Sequence, residues 1–406
     1  MKRVLTLLAA AGPGIVVMLA DTDVGSLVTA AQSGAKWGYS LLALQFLLIP
    51  VLFVVQELTA RLGTATGKGH GTLILERYGR FWAWLSFGGL LLAGIGAIAT
   101  EFSGIAGIGD LWGVPRLVSL GVPALLLLLI VLTGSYERVE RISILVGLFE
   151  LSFLLIAWRA HPDPQRIVRS LAHPPLGNSD YRVLVAANIG AVIMPWMIFF
   201  QQSAVADKGL KREQRRGARW DTLIGATVSQ LVMGALLVAA AATLYGKGDK
   251  NGLQTVGDLA HAFTPALGPF FGQAVLGVGI LSAAFVSLNV VSLALAWGFG
   301  DVTGQPHSLR KSPREAPVFY GIYALAVVGG AILVQLVRNL VALNVAVEVM
   351  NALLLPLALG LLVLLATRAL PDRDRVRGGY ALLVYAVAGL AILFGLIGGL
   401  DEIGLF

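Results

Sequence analysis

The sequence predicts an all-α polytopic membrane protein of about eleven transmembrane helices, built as two inverted five-helix repeats with one helix added. Three observations carry this reading: the composition, the spacing of the apolar runs, and two interrupted runs five spans apart. Of 406 residues, 57% are hydrophobic and 13% charged, and the mean hydropathy is +0.80. Soluble domains carry about a quarter charged residues, so lipid is the expected solvent. The net charge of +7 sits in the joints between apolar runs, where it orients a chain in a membrane, and no nucleic-acid partner is expected. With no cysteine, disulfides and thiolate ligands are excluded.

Crossing the hydrocarbon takes roughly 20 apolar residues. Runs near that length fall at 4–35, 41–61, 81–111, 118–132, 142–158, 183–205, 223–244, 267–299, 318–337, 340–365 and 380–400, leaving no soluble domain. The start, Met1-Lys2-Arg3 and a short apolar stretch, has the form of a secretory signal, but the pattern continues past Gly12-Pro13-Gly14 and reads as a retained first helix. A single transmembrane domain over 1–406 follows, with repeat one about 4–158, repeat two about 183–365 and an extra helix about 380–400. Lys and Arg gather in the joints after even-numbered spans, from Arg61, Lys68, Arg77 and Arg80 to Arg368, Arg373, Arg375 and Arg377. Those joints are expected on the cytoplasmic side of a bacterial plasma membrane, with the amino terminus cytoplasmic and the carboxyl terminus outside. The loop from Arg159 to Arg182, with four arginines, fits this least well.

Spans one and six carry helix-breaking chemistry near mid-membrane: Asp21-Thr22-Asp23-Val24-Gly25-Ser26 and Gly190-Ala191-Val192-Ile193-Met194-Pro195-Trp196. Interruptions at corresponding positions point to a transport site at the midplane. A carboxylate there costs about 2.5–3.5 kcal/mol on insertion scales, so Asp21 and Asp23 need a reason to persist. If the backbone unwinds near Gly25, both turn to one cavity beside freed carbonyls, a hard-oxygen cation site; alternatively one of them caps the second half-helix. Proline at 195 leaves a carbonyl unpaired, and the Met194 thioether is a soft donor that favours transition metals over Ca or Mg. Glu101, Glu150, Asn188, Asn289, Glu348 and Asn351 are further buried polar candidates. The amides read as interhelical hydrogen bonders, whereas Glu101 and Glu348 must find water, a partner or a proton. His70, His161, His173 and His307 fall in loops and His261 in a short segment before the eighth span, so no histidine reads as a core proton shuttle. No catalytic pair or phosphate loop is present, and neither enzyme activity nor a cofactor is expected.

Gly12-Pro13-Gly14, Asp23-Val24-Gly25-Ser26 and Gln32-Ser33-Gly34-Ala35-Lys36-Trp37-Gly38-Tyr39 resemble the GPG, DPGN and QAGAKYGY segments of the Nramp family of divalent metal transporters. Gln56-Glu57-Leu58-Thr59-Ala60-Arg61-Leu62-Gly63 with Thr66-Gly67-Lys68 is similar to the family's QxLxARLG…TGK, and Gly190 to Pro195 to its GATVMP. The resemblance implies a LeuT-like fold and a transported divalent metal ion held by Asp23, Ser26, the Ala191 carbonyl and Met194. It places the family's tenth-span glutamine at Glu348 and a third-span acid of the proton relay at Glu101; Asp21 is a further carboxylate beside these.

This chain departs from the family at Val24 and Ser26, at Trp196 where the family has histidine, and at Gly104 where it has a second third-span acid. No arginine lies within the ninth span. The expectation is therefore a carrier of transition metals such as Mn²⁺ or Fe²⁺ with weak or absent proton coupling. The alternatives are a Mg²⁺ carrier of the same fold and an amino-acid or organic-solute transporter on that scaffold, which Asp21 and Asp23 disfavour by repelling a substrate carboxylate. Apart from the ion and membrane lipid no partner is implied, and a monomer fits the pattern.

Overall fold

The computed structural model describes residues 12–171, 174–246, 253, 255–337 and 343–402, which form helices and no strand. The first span is two helices, α1 (Pro13–Asp21) and α2 (Val24–Trp37). Next come α3 (Leu42–Thr66), the short α4 (His70–Tyr78), α5 (Arg80–Leu111) and α6 (Arg116–Val131). The fifth span runs through α7 (Tyr136–Gly147), a 3₁₀ turn at Leu148–Leu151 and α8 (Ser152–Arg159), and is followed by the short α9 (Pro164–Leu171). The sixth is again two helices, α10 (Ser179–Val192) and α11 (Pro195–Asp207), and the seventh is α12 (Arg215–Thr243). Then follow α13 (Val256–Pro269), a π turn at Phe270–Val275, α14 (Leu276–Thr303), α15 (Pro317–Leu336), α16 (Leu343–Leu364) and α17 (Gly378–Glu402).

Among the described residues nine helical stretches are long and apolar enough to cross a bilayer, or ten with the bent α1–α2 pair; α6, at 16 residues, is shorter. The chain is thus an all-α polytopic membrane protein, although length alone does not fix the expected eleven spans. The sixth span has 89% of its apolar window buried, against 28% for the last. The broken span six accordingly lies at the centre and α17 at the perimeter. Leu117, Leu125 and Leu129 of α6 and Phe81, Trp82 and Trp84 at the start of α5 are exposed apolar groups suited to lipid and its interface.

The start of α1 explains the Gly-Pro-Gly motif. Pro13 opens the helix, and the backbone N–H groups of Gly12 and Gly14 donate to the Asp221 carboxylate of α12 at 2.9 and 2.7 Å. Two of the unpaired donors of a helix start are satisfied from another span. Asn188 and Asn289 are the interhelical bonders expected: Asn188 joins Ser33 and Gln45, and Asn289 joins Ser143 and Tyr323.

One expectation is corrected. His70 does not lie in a loop: it begins α4 and is wholly buried, with Nδ1 2.8 Å from the Gln202 side-chain Oε1 and its ring edge-on to Phe199. The eighth span follows a bend at Gly268, close to its expected start, and α13 is the short segment that holds His261 before it. His173 lies outside the described residues. In the arginine-rich 159–182 joint, Arg182 is paired with Asp401 at 2.6 Å and Arg166 with Asp163 at 3.4 Å, so part of its charge is neutralised locally.

Candidate metal centre

Both breaks fall where the sequence carries them. The axes of α1 and α2 differ by 51°, with Thr22 and Asp23 between them. Asp23 is extended (φ −64°, ψ 169°), and its Oδ1 accepts the Ser26 N–H at 2.7 Å. Of the two aspartates, Asp23 is therefore the one that caps the second half-helix. Capping does not exhaust it, because an ionised carboxylate has about four acceptor positions.

In span six Ile193 and Met194 leave helical geometry (φ −128°, ψ 87° and φ −105°, ψ 143°), and Pro195 starts α11. The carbonyl four residues before a proline has no N–H to accept. That carbonyl belongs to Ala191, and it accepts the Ser26 hydroxyl at 3.1 Å. Asp23, Ser26 and Ala191 are thus joined across the two breaks, and Met194, fully buried, forms the lip of the second.

Glu348 of α16 is seated against both breaks by glycines. A Cβ on Gly25 would collide with Glu348 Oε1, and a Cβ on Gly190 would collide with the Glu348 backbone carbonyl. The absence of side chains at 25 and 190 lets α16 close on the centre, and Asn351 donates to Glu348 Oε2 at 3.1 Å. On the other side Glu101 of α5 accepts the Val24 N–H with both oxygens at 3.3 Å, one residue from Asp23. One turn further along α5, the Val24 side chain covers Gly104, leaving no room for an acid there.

Asp21 is bonded from span seven. Its Oδ2 accepts from the Ser229 hydroxyl and from Gln230 Nε2 of α12. Among the described residues no three His, Asp or Glu side chains are grouped to hold a metal by themselves, so any ion here needs hydroxyl, carbonyl or thioether donors as well. Trp196 is buried with its indole N–H unpartnered, and α15 contains no arginine. His70 is the buried imidazole that sequence reasoning missed, and burial pulls it down to about 4 against the opposing Gln202 hydrogen bond and Asp301 charge. It is neutral at physiological pH. A cavity of about 400 Å³ opens between the end of α5 and the starts of α6 and α13, lined by Ser103, Asp110, Arg116, Thr255 and His261, and reaches Val24 beside the break.

The family model described as natural resistance-associated macrophage protein-like matches residues 14–400. Curated relatives named divalent metal cation transporter MntH include those of Brucella suis biovar 1, 28% identical over 75% of this chain and 70% of the relative, and Klebsiella pneumoniae subsp. pneumoniae, 30% identical over 71% and 70%. Among solved structures, the Eremococcus coleocola manganese transporter superposes with a TM-score of 0.79 at 20% identity, covering 98% of this chain and 87% of that one. A Na⁺-coupled sialic acid symporter superposes with a TM-score of 0.63 at 15% identity, covering 97% and 87%. The family match over residues 14–400, nearly the whole chain, makes this protein a member of the Nramp family.

Proposed function

We propose that this protein carries divalent transition-metal ions, Mn²⁺ first among them, across a bacterial plasma membrane, with Asp23, Ser26, the Ala191 carbonyl and Met194 holding the ion and Glu348 beside them. The observation that carries the reading is the Ser26–Ala191 contact, which ties two interrupted helices at one point beside the Asp23 cap. Charge from Asp23 offsets the dehydration of a divalent cation, freed oxygens complete the shell, and sulfur biases it toward softer metals. The relatives' names point to the same substrate class. The cavity ending at Val24 is the access route, and the repeats at about 4–158 and 183–365 would move against each other to open it alternately.

Proton coupling is weak or absent in this account. Glu101 is bonded to the break, but the next relay positions are filled by Gly104 and Trp196, neither of which titrates. Uptake of Mn²⁺, Mg²⁺ and Ca²⁺ into proteoliposomes under imposed pH gradients tests both parts. Mn²⁺ uptake that ignores the gradient is expected. Selective Mg²⁺ uptake would move the assignment to a magnesium carrier, and metal-driven acidification lost in Glu101→Gln would show that coupling survives.

A further inference from the structure

Span one holds a second group of oxygen donors that the metal centre does not use. Thr22, in the break, donates its hydroxyl to the Leu19 carbonyl at 2.7 Å and lies against Glu150 Oε2 of the 3₁₀ turn in span five. Asp21 receives Ser229 and Gln230 on Oδ2. Each of these groups is left with an unpaired oxygen: Asp21 Oδ1, Glu150 Oε1 and Gln230 Oε1 are all buried and accept nothing. The three side chains are 1%, 0% and 1% exposed. Buried polar atoms are nearly always satisfied, so three orphaned acceptors on neighbouring side chains, two of them carboxylate oxygens, call for an explanation that a positively charged or donating species supplies. Gln230 makes the case more than an acidic cluster, since its amide donates to Asp21 while its carbonyl oxygen stays free.

We infer that Asp21, Glu150 and Gln230, steadied by Thr22 and Ser229, form a second site that takes a small hard cation through oxygen alone. The donor set contains no nitrogen or sulfur, unlike the Met194-bearing centre, so it selects against the transported transition metal. Its few protein oxygens and enclosure favour an ion that sheds water readily, Na⁺ before Mg²⁺, which dehydrates reluctantly. The site joins spans one, five and seven at the break, so its occupancy bears on how α1 is held.

The test uses the full chain in nanodiscs with Asp23→Ala as background, which removes the transport centre's capping carboxylate. Thermal midpoints are compared in Na⁺, Li⁺, K⁺, Mg²⁺ and Ca²⁺ against choline at equal ionic strength. Na⁺ is expected to raise the midpoint saturably and at a lower concentration than Mg²⁺, and a response to Mg²⁺ alone would overturn the assignment. Glu150→Gln, added to that background, is expected to weaken the effect about tenfold or more. Gln230→Leu gives the same reading should Glu150→Gln fail to fold. The site is refuted if no cation surpasses choline, in which case the carboxylates hold a proton instead, or if both variants respond as their parent does.

Discussion

Glycines at 25 and 190 both stand against Glu348, but they meet different parts of it, and alanine at each should therefore fail differently. At Gly190 the added Cβ would meet the Glu348 carbonyl oxygen, with Ala352 N and Glu348 C at 2.9 Å, all backbone atoms that no rotamer change can move. Overpacking of this kind costs about 1–3 kcal/mol, and the upper end applies because two helices must separate. At Gly25 the Cβ meets Glu348 Oε1, the end of a flexible side chain, with Glu348 Cδ and Thr100 Cγ2 at 3.4 Å. The carboxylate swings aside and the fold loses about 1 kcal/mol. What Gly25→Ala forfeits is the placement of Glu348 at the ion: a charged contact is worth about 1.5–3 kcal/mol, or roughly 10- to 150-fold in affinity. Mn²⁺ titration calorimetry and thermal melts of the two purified variants separate the effects. A Gly25→Ala protein that binds Mn²⁺ within about twofold of the parent, a change of roughly 0.4 kcal/mol, would refute the seating of Glu348 at the ion.

Other expectations follow from single contacts. Met194→Ala should narrow the uptake preference for Mn²⁺ and Cd²⁺ over Mg²⁺ and Ca²⁺ while leaving some transport, and an unmoved ratio would mean the thioether is packing only. Gly104→Glu should lower Mn²⁺ uptake without adding proton movement, because the new side chain meets Val24 before it reaches Glu101; a new Mn²⁺-driven signal from a luminal pH dye would contradict this. His70 should make the fold acid-sensitive. With its imidazole lowered from 6.5 to about 4, the unfolded chain binds a proton that the folded chain refuses, so stability falls as pH drops from about 6.5 to about 4, by up to about 3 kcal/mol. His70→Asn should flatten stability over that window, and an unchanged pH slope would show that His70 is not the group responsible.

Much of the fold was legible because its signals are local. Apolar length marks spans, and the break residues Asp23, Gly25 and Pro195 act on their own backbone, so both interruptions fall within the predicted segments. The freed carbonyl at Ala191 follows from Pro195 by counting four residues back. What depends on distant partners was not legible. Gly69-His70-Gly71 reads as a loop, and only Gln202, Phe199 and Asp301, all far along the chain, make it a buried helix start. Asp21 lies two residues from Asp23, yet Ser229 and Gln230 draw it toward span seven, and nothing in its own segment signals that. Gly104 was visible as a departure from the family, but that Val24 fills the space beside it required the structure.

Titration of Mn²⁺ into the purified Asp23→Ala protein tests the account most directly. Asp23 caps α2, touches Ser26 and through it Ala191, and supplies the charge that repays dehydration of the ion. Losing the cap costs about 1 kcal/mol, which leaves a folded protein to measure. The account predicts no detectable Mn²⁺ binding by that folded variant and no Mn²⁺ uptake in proteoliposomes; binding at the affinity of the parent would contradict it.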